Sequence, residues 1–229
     1  MKTGSSLIQT RGLTRTYPMG ETVVRALDRV DLDVAEGEFV ALIGTSGSGK
    51  TTLLSLLGCL DQPTAGSYQL AGQEVAALDV DALAAVRNRR IGFVFQAFNL
   101  LEGLPADENV ALPLRYRGLP KVDRLARAAA MLERVGLGDR IQHTPRELSG
   151  GQRQRVAVAR ALVGEPALIL ADEPTGNLDR ASGEAILGLF RELHGEGRTI
   201  VMVTHDEEIA AVADRRIRLE EGRVVADER

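Results

Sequence analysis

The stretch Gly44-Thr45-Ser46-Gly47-Ser48-Gly49-Lys50-Thr51 lies between an apolar run at 38–43 and a segment with helical spacing at 49–60. It fits the pattern G-x-x-x-x-G-K-[ST], and strand, loop and helix in that order are the context that this pattern requires. Small residues let successive backbone N–H groups converge on a compact anion, and the start of a helix adds a favourable dipole. The alternative, a flexible glycine turn, explains neither the Lys-Thr pair nor the flanking elements.

The segment therefore predicts a loop that binds the phosphates of a nucleoside triphosphate such as ATP. Lys50, which we group with the catalytic residues, is expected to bridge the β- and γ-phosphates, and the Thr51 hydroxyl is expected to bind Mg²⁺. The predicted phosphate contacts come from Gly44, Thr45, Ser46, Gly47, Ser48, Gly49, Lys50, Thr51 and Thr52.

A second apolar run, at 167–171, ends in the acid pair Asp172 and Glu173. Asp172 is expected to hold Mg²⁺ directly or through water, and Glu173 to activate the attacking water as a general base. Alone, two acids at the end of a strand would fit a solvated turn or a helix cap equally well. Beside a phosphate-binding loop, they predict the second half of a hydrolytic site.

Apolar runs alternate with helical segments elsewhere in the chain, which favours an α/β fold with a parallel sheet. The predicted strand and helix pairs are 38–43 with 49–60, 167–171 with 180–193, and 199–203 with 207–213. By contrast, residues 30–34 alternate apolar and acidic side chains, which predicts a half-buried antiparallel edge strand in an N-terminal β subdomain.

Residues 96–165 lack such apolar runs, while 121–135 and 149–162 have helical spacing. We interpret 96–165 as a helical subdomain inserted into a single domain, whose nucleotide-binding core comprises 1–95 and 166–229. Pro105, Pro113, Pro120 and Pro145 are expected to mark loops or helix starts in it. The last three residues, 227–229, are expected to fray.

The composition is that of an ordinary globular protein: 229 residues, 44% hydrophobic and 26% charged. No apolar window reaches the roughly 18 residues of a membrane-spanning helix, and residues 1–11 lack a secretory signal, so we expect no membrane insertion. A net charge of −4 argues against nucleic acid as a partner. The single cysteine, Cys59, is expected to be a buried, unreactive thiol within an apolar run.

The most specific motif is Leu148-Ser149-Gly150-Gly151-Gln152, which precedes a helical run. Ser149 could simply cap that helix. Together with the phosphate-binding loop, however, the motif resembles the signature sequence of ATP-binding cassette (ABC) ATPases. The resemblance implies a P-loop ATPase fold in which Ser149, Gly150, Gly151 and Gln152 close over ATP held by the opposite subunit, so that the ATP state is a homodimer.

Other motifs of that family occur in order along nearly the whole chain. By resemblance, Tyr17 stacks on adenine, and Gln96 contacts Mg²⁺ and the lytic water. Asp179, in Gly176-Asn177-Leu178-Asp179, lies at the dimer interface, with a helix cap as its other role. His205 contacts the γ-phosphate. His143 and His194 match no motif and are expected to be surface residues.

The segments 90–101 and 108–114 resemble the branch that serves macrolide exporters and lipoprotein-release systems, although Thr45 stands where proline is usual. That branch implies an ATPase on the cytoplasmic face of the inner membrane. A separate membrane permease subunit is expected to dock at residues 96–114. The complex is expected to act in export, lipoprotein extraction or mechanotransmission.

The alternative is an ATP-dependent switch or scaffold at the membrane, of the cell-division type, without transport. Chromosome-organising ATPases share the signature but place a long coiled coil between the two motifs. Residues 51–148 contain no sustained heptads, so we exclude that class.

Overall fold

The structure is a computed structural model that describes residues 6–20 and 22–229. Residues 1–5 and Glu21 lie outside the described part. Residues 1–5 belong to the predicted nucleotide-binding core and to the stretch considered above as a secretory signal. The chain divides into two compact units. The first comprises the residues up to Arg87 together with His194–Arg229, and the second comprises Asn88–Leu193. The predicted division at 96 and 165 stays a prediction.

The elements alternate between strands and helices over most of the chain. The strands are β1 (Ser6–Met19), β2 (Thr22–Ala35), β3 (Phe39–Ile43), β4 (Ala65–Leu70), β5 (Gln73–Glu74), β6 (Ile91–Phe95), β7 (Leu168–Asp172), β8 (Thr199–Val203), β9 (Arg215–Glu220) and β10 (Arg223–Glu228). The helices are α1 (Lys50–Leu57), α2 (Val80–Arg90), α3 (Ala106–Tyr116), α4 (Lys121–Arg134), α5 (Gly150–Leu162), α6 (Arg180–Gly195) and α7 (Glu207–Ala210). Short 3-10 turns lie at Gly138–Arg140 and Pro145–Glu147.

The first unit contains the predicted antiparallel β subdomain. Its strand order is β2-β1-β4-β5, which makes β2 an edge strand, as its alternating pattern predicted. Val30, Leu32 and Val34 are buried, whereas the acidic side chains between them are exposed. Period-two alternation therefore identified both the strand and its buried face.

The same unit contains parallel strands built from the fully buried apolar runs. β3 pairs in parallel with β8 on one side and with β9 on the other, and β10 continues antiparallel from β9. Leu42 is in register with Val203, so the loops that follow β3 and β8 leave the same edge. This edge carries the glycine-rich loop and His205.

The second unit combines helices with one parallel strand pair. Helices α3, α4 and α5 bury a shared apolar cluster that includes Val110, Leu132 and Val156. β6 pairs in parallel with β7, and Phe95 is in register with Asp172. Gln96 and Glu173 therefore follow neighbouring strands at one edge. Within the described part of the chain, no helix has the length and apolarity needed to span a membrane.

The expectation that 227–229 frays is wrong, because Asp227 and Glu228 belong to β10. Arg215, 9% exposed, donates to both carboxylate oxygens of Asp227 at 2.6 Å and to Glu38 at 3.2 Å. These bonds raise the pKa of Arg215 and lower that of Asp227. A buried guanidinium needs charged partners. The bonds from Arg215 to Asp227 therefore hold β10 in place at the end of the chain.

His194, expected to be a surface residue, is half-buried and held in place by its neighbours. Its Nε2 lies 3.0 Å from the Gly37 carbonyl oxygen and 3.0 Å from Asp214 Oδ2, and its ring packs edge-on against Phe39. His143 is likewise half-buried, with its ring nitrogen 3.1 Å from the Arg140 guanidinium. Both histidines contribute to local packing.

The prolines separate into two groups. Pro105 and Pro120 immediately precede α3 and α4, and Pro145 begins a 3-10 turn, as expected. Pro113 instead lies inside α3, next to the buried Leu114. Cys59 is buried as predicted, and burial raises its pKa to about 11, which keeps the thiol protonated.

Candidate nucleotide-binding and catalytic site

The glycine-rich loop joins β3 to α1 in the predicted order of strand, loop and helix. Two of its glycines are required by their surroundings. Gly44 has a φ of +148°, and a Cβ there would lie 2.3 Å from the Leu219 carbonyl oxygen. Gly49 has a φ of +103°, and a Cβ there would lie 2.5 Å from the Ala26 carbonyl oxygen. The loop can pass this close to its neighbours only without side chains.

The loop's polar groups fit a phosphate chain. Lys50 is 8% exposed, and its Nζ donates to the carbonyl oxygens of Gly44 (2.7 Å) and Thr45 (2.8 Å). Ser48 Oγ is buried and has no hydrogen-bond partner, and no side chain caps the start of α1 at Gly49. A buried hydroxyl and uncapped helix N–H groups are donors that an anion would satisfy.

His205 leaves the same edge as this loop, two residues beyond the end of β8. Thr204 is buried and donates its N–H to the Leu42 carbonyl oxygen at 3.1 Å, which anchors the start of the turn. Asp206 caps α7 by accepting from the N–H groups of Glu208 and Ile209. His205 is therefore an exposed side chain on a turn that is anchored at both ends.

Tyr17 lies on β1 and has a fixed ring. Its hydroxyl donates to Asp61 Oδ2 at 2.8 Å, and the Arg15 guanidinium covers one face of the ring, 4.6 Å from its centroid. Arg15 is in turn held by two bonds to Asp61. The Arg15 guanidinium thus already occupies one of the two faces on which a base could stack. The sequence contains no pattern that singles out Arg15 and Asp61, and we did not predict them.

In the second unit, Gln96 lies against the loop that contains Gly176 and Asn177. Asn177 Nδ2 donates to the Gln96 carbonyl oxygen at 3.0 Å, and Gln96 Nε2 lies 3.4 Å from Asn177 Oδ1. A Cβ on Gly176 would lie 2.6 Å from Gln96 Nε2, so the glycine makes room for the amide. The structure thus brings the predicted glutamine loop together with the segment after Glu173.

Ser149 caps α5, which is the structural alternative that the sequence left open. Ser149 Oγ accepts from the Gln152 N–H at 3.3 Å, and Gln152 Oε1 accepts from the Ser149 N–H at 2.9 Å. This reciprocal capping box uses the Gln152 side chain within its own helix start. The serine hydroxyl and the two glycines remain at the exposed end of the helix.

Asp179 caps α6 and lies near the signature glycines. It accepts from the Ser182 N–H at 2.9 Å and from Ser182 Oγ at 2.7 Å, and these bonds lower the pKa of Asp179. A Cβ on Gly151 would lie 2.7 Å from Ser182 Oγ. A Cβ on Gly150 would lie 3.5 Å from Leu178 Cδ2, so the loop predicted to cross a dimer interface packs on the start of the signature helix.

Arg160, a residue that the sequence analysis missed, holds the turn after Gln96. Phe98 and Asn99 both have positive φ, +62° and +51°. Arg160 of α5 donates to the carbonyl oxygens of both, at 2.9 Å for Phe98 and more closely for Asn99. Burial lowers the pKa of Arg160 to about 10. In the sequence, Arg160 is one of several arginines in a helical run, and nothing there singles it out.

The predicted residues thus fall into two sets. The first unit holds Tyr17, residues 44–52 and His205, and the second holds Gln96, residues 149–152, Asp172, Glu173 and Asp179. Glu173 has a φ of +44°, which is uncommon for a residue with a side chain. Within the residues that the structure covers, no cluster of three or more His, Cys, Asp or Glu forms a metal site. The predicted Mg²⁺ ligands, Thr51, Gln96 and Asp172, instead offer single oxygen donors of the kind that Mg²⁺ prefers beside phosphates.

Comparison with known proteins matches residues 27–176 to the family model described as ABC transporter. The chain is 54% identical over 228 residues to a Macrolide export ATP-binding/permease protein MacB 1/2 of Paracoccus denitrificans, covering 100% of this chain and 34% of that protein. It is 57% identical to the corresponding MacB of Rhodospirillum rubrum, covering 96% of this chain and again 34% of the relative. The chain therefore spans about a third of the length of the curated relatives it matches.

Among solved structures, the chain is similar to the ATP-binding cassette MJ0796 in a dimeric post-hydrolysis state bound to ADP and Pi. The TM-score is 0.90 and the identity 44%, covering 97% of this chain and 98% of that chain. A second dimeric structure of MJ0796, described as a bacterial ABC transporter cassette, has a TM-score of 0.89 and 45% identity over the same shares of the two chains.

The loop geometry predicts different costs for alanine at two neighbouring glycines. In Gly49→Ala, the cost of a positive φ and the cost of the collision with the Ala26 carbonyl oxygen add. We therefore expect the free energy of unfolding to fall by about 3 kcal/mol. Gly47→Ala is the control, because Gly47 also has positive φ but nothing lies within 4 Å of its Cβ position. We expect it to lose only about 1 kcal/mol. Urea denaturation measures both, and equal losses would contradict the collision.

Proposed function

Because this chain belongs to the ABC transporter family and is an ATPase of the ABC type, we propose that it hydrolyses ATP to drive a separate membrane subunit. The observation that carries this proposal is the loop at 44–49, in which Gly44 and Gly49 have no room for a side chain and the Ser48 hydroxyl is buried with no hydrogen-bond partner. The neighbour MJ0796 was solved with ADP and Pi, and its chain is matched over nearly its full length.

We assign the roles in hydrolysis as follows. Residues 44–52 bind the phosphates, with Lys50 on the β- and γ-phosphates, and Tyr17 stacks on adenine through the face opposite Arg15. Thr51, Gln96 and Asp172 bind Mg²⁺, which when bound neutralises phosphate charge. Glu173 accepts a proton from the attacking water, and His205 contacts the γ-phosphate. These roles are supported by the positions of the residues at two strand edges. The loop at 44–52 and His205 follow β3 and β8, and Gln96 and Glu173 follow β6 and β7.

A second prediction concerns Glu173. Glu173→Gln should retain ATP binding and lose turnover by about 100-fold or more, because an amide cannot accept the proton. Glu165→Gln is a matched control, since Glu165 also has positive φ (+50°) and lies in the same unit, exposed at the end of α5. Phosphate release and binding of a fluorescent ATP analogue measure the two effects. Wild-type turnover by Glu173→Gln would refute the general-base role.

We further propose that two chains form an ATP-bound homodimer. Ser149 lies exposed at the start of α5, and its hydroxyl and the N–H groups of the first helical turn are groups that a phosphate bound to a second chain would satisfy. The dimeric states of MJ0796, at 44% and 45% identity, support the same arrangement here. In such a dimer, the helix start of one chain completes the nucleotide shell of the other.

The partner is proposed to be a permease at the cytoplasmic face of a membrane. The MacB relatives are named ATP-binding/permease proteins, and the chain spans only a third of their length, so a membrane portion is joined to their cassette. We propose that a permease portion of this kind docks here on residues 96–114. Export, lipoprotein extraction and mechanotransmission are the activities open to such a complex.

The docking segment has an exposed apolar residue on a rigid base. Buried Asn109 accepts from the Leu101 N–H at 2.7 Å and donates to the carbonyl oxygens of Leu101 and Leu104. Leu100 packs against the helical cluster, whereas Leu101 is 51% exposed. A fixed loop with an outward leucine suits a docking surface better than a core.

We expect Leu101→Glu to leave the basal ATPase unchanged and to abolish stimulation by the membrane subunit. Leu60→Glu is the control, because Leu60 is 49% exposed but lies in the first unit. The assay is ATP turnover with and without the membrane protein that co-purifies with the wild-type chain, in lipid nanodiscs. Normal stimulation of Leu101→Glu would place the docking surface elsewhere.

The second candidate function, a membrane-associated ATP switch without transport, shares the whole site. The named MacB relatives favour a transporter. A membrane partner that binds only the ATP state and leaves turnover unchanged would favour the switch.

A further inference from the structure

Gln154 is a fully buried amide in the middle of α5, and the roles assigned above do not use it. It is 0% exposed, and its Nε2 donates to the Pro174 carbonyl oxygen at 2.6 Å. Its Oε1 is also buried and has no hydrogen-bond partner. Burying an amide whose oxygen has no hydrogen-bond partner costs free energy. We therefore ask what the one hydrogen bond of Gln154 contributes.

The accepting carbonyl belongs to the turn that follows the proposed general base. Pro174 is buried and has no N–H, so its carbonyl is its only backbone polar group, and Gln154 satisfies it. Glu173, directly before it, is held at a positive φ of +44°. The Gly176 N–H closes the turn on the Glu173 carbonyl oxygen at 3.0 Å. A backbone conformation of this kind persists only where surrounding contacts hold it.

We infer that Gln154 is a positioning residue for Glu173. Its hydrogen bond fixes the carbonyl of the Pro174–Thr175 peptide. The turn that the Gly176 N–H closes on the Glu173 carbonyl oxygen passes this restraint to the backbone from which the Glu173 side chain leaves. The role rests on the proposed function of Glu173 as the general base. A misplacement of about 1 Å in a reacting group is enough to lower a rate by two orders of magnitude.

The same bond joins the base to the signature motif. Ser149 caps the helix that contains Gln154, and the two residues are separated by little more than one helical turn. A shift of the start of α5 would therefore be transmitted through Gln154 to the Glu173 turn. Contact of the signature with nucleotide and alignment of the base are thereby coupled within one unit.

The test replaces the donor while keeping the volume. Gln154→Met should fold, bind the fluorescent ATP analogue with unchanged affinity, and lower kcat by about 10-fold or more at an unchanged KM. Val156→Ala is the matched control: Val156 is also fully buried on α5 but packs in the apolar cluster, and its truncation destabilises without touching the turn. An unchanged kcat for Gln154→Met, or an equal loss for Val156→Ala, would overturn the positioning role.

A double mutant separates this inference from the general-base proposal. If Gln154 acts through Glu173, Gln154→Met should not lower the residual single-turnover rate of Glu173→Gln any further. A multiplicative loss would show that Gln154 acts independently and would overturn the inference alone. Wild-type turnover by Glu173→Gln would overturn the general base and, with it, the inference.

Gln154→Leu provides a second apolar replacement if Gln154→Met does not fold. If both fail to fold while Val156→Ala folds, Gln154 is a stability residue, and the positioning role is wrong.

Discussion

A loop that presents backbone N–H groups to one compact anion can carry no side chain where it crosses its neighbours. This constraint governs the structure around residues 44–49. Gly44 approaches Leu219 and Gly49 approaches Ala26 at distances that exclude a Cβ, and both glycines adopt positive φ. Two neighbouring strands, β3 and β9, position that loop. The fully buried β3 delivers it, and β9, through Leu219, lies directly against it.

The remaining candidate residues follow from the ends of parallel strands. His205 leaves β8 at the edge where the phosphate-binding loop leaves β3, and Gln96 and Glu173 leave the neighbouring strands β6 and β7. In the second unit, α5 packs against β6 and contacts the loops that follow β6 and β7. Arg160 holds the backbone after Gln96, and Gln154 holds the backbone after Glu173. One helix thus fixes both loops of the proposed hydrolytic half-site.

Sequence patterns predicted the elements that have a local signal, such as a continuous apolar run or a helix cap. They missed the elements that are held in place by single polar contacts. The runs that became β3, β7 and β8 and the start of α5 were recognisable, because apolar runs and a capping box are local signals. β10 was not predicted, since its strand is largely exposed and Arg215 fastens it from another strand. Arg160 and Gln154 look like ordinary helix residues, and only the tertiary structure shows which carbonyl oxygens they reach.

The proposed ATP sandwich is tested most directly by mixing two inactive variants, Lys50→Ala and Ser149→Arg, and measuring ATP turnover with the membrane subunit present. Each variant alone should be inactive, because every site of its homodimer carries the defect. A mixed dimer places both defects in one site and leaves the other intact. We predict that turnover reappears on mixing. Full activity of Ser149→Arg alone, or no recovery in the mixture, would contradict a site shared between two chains.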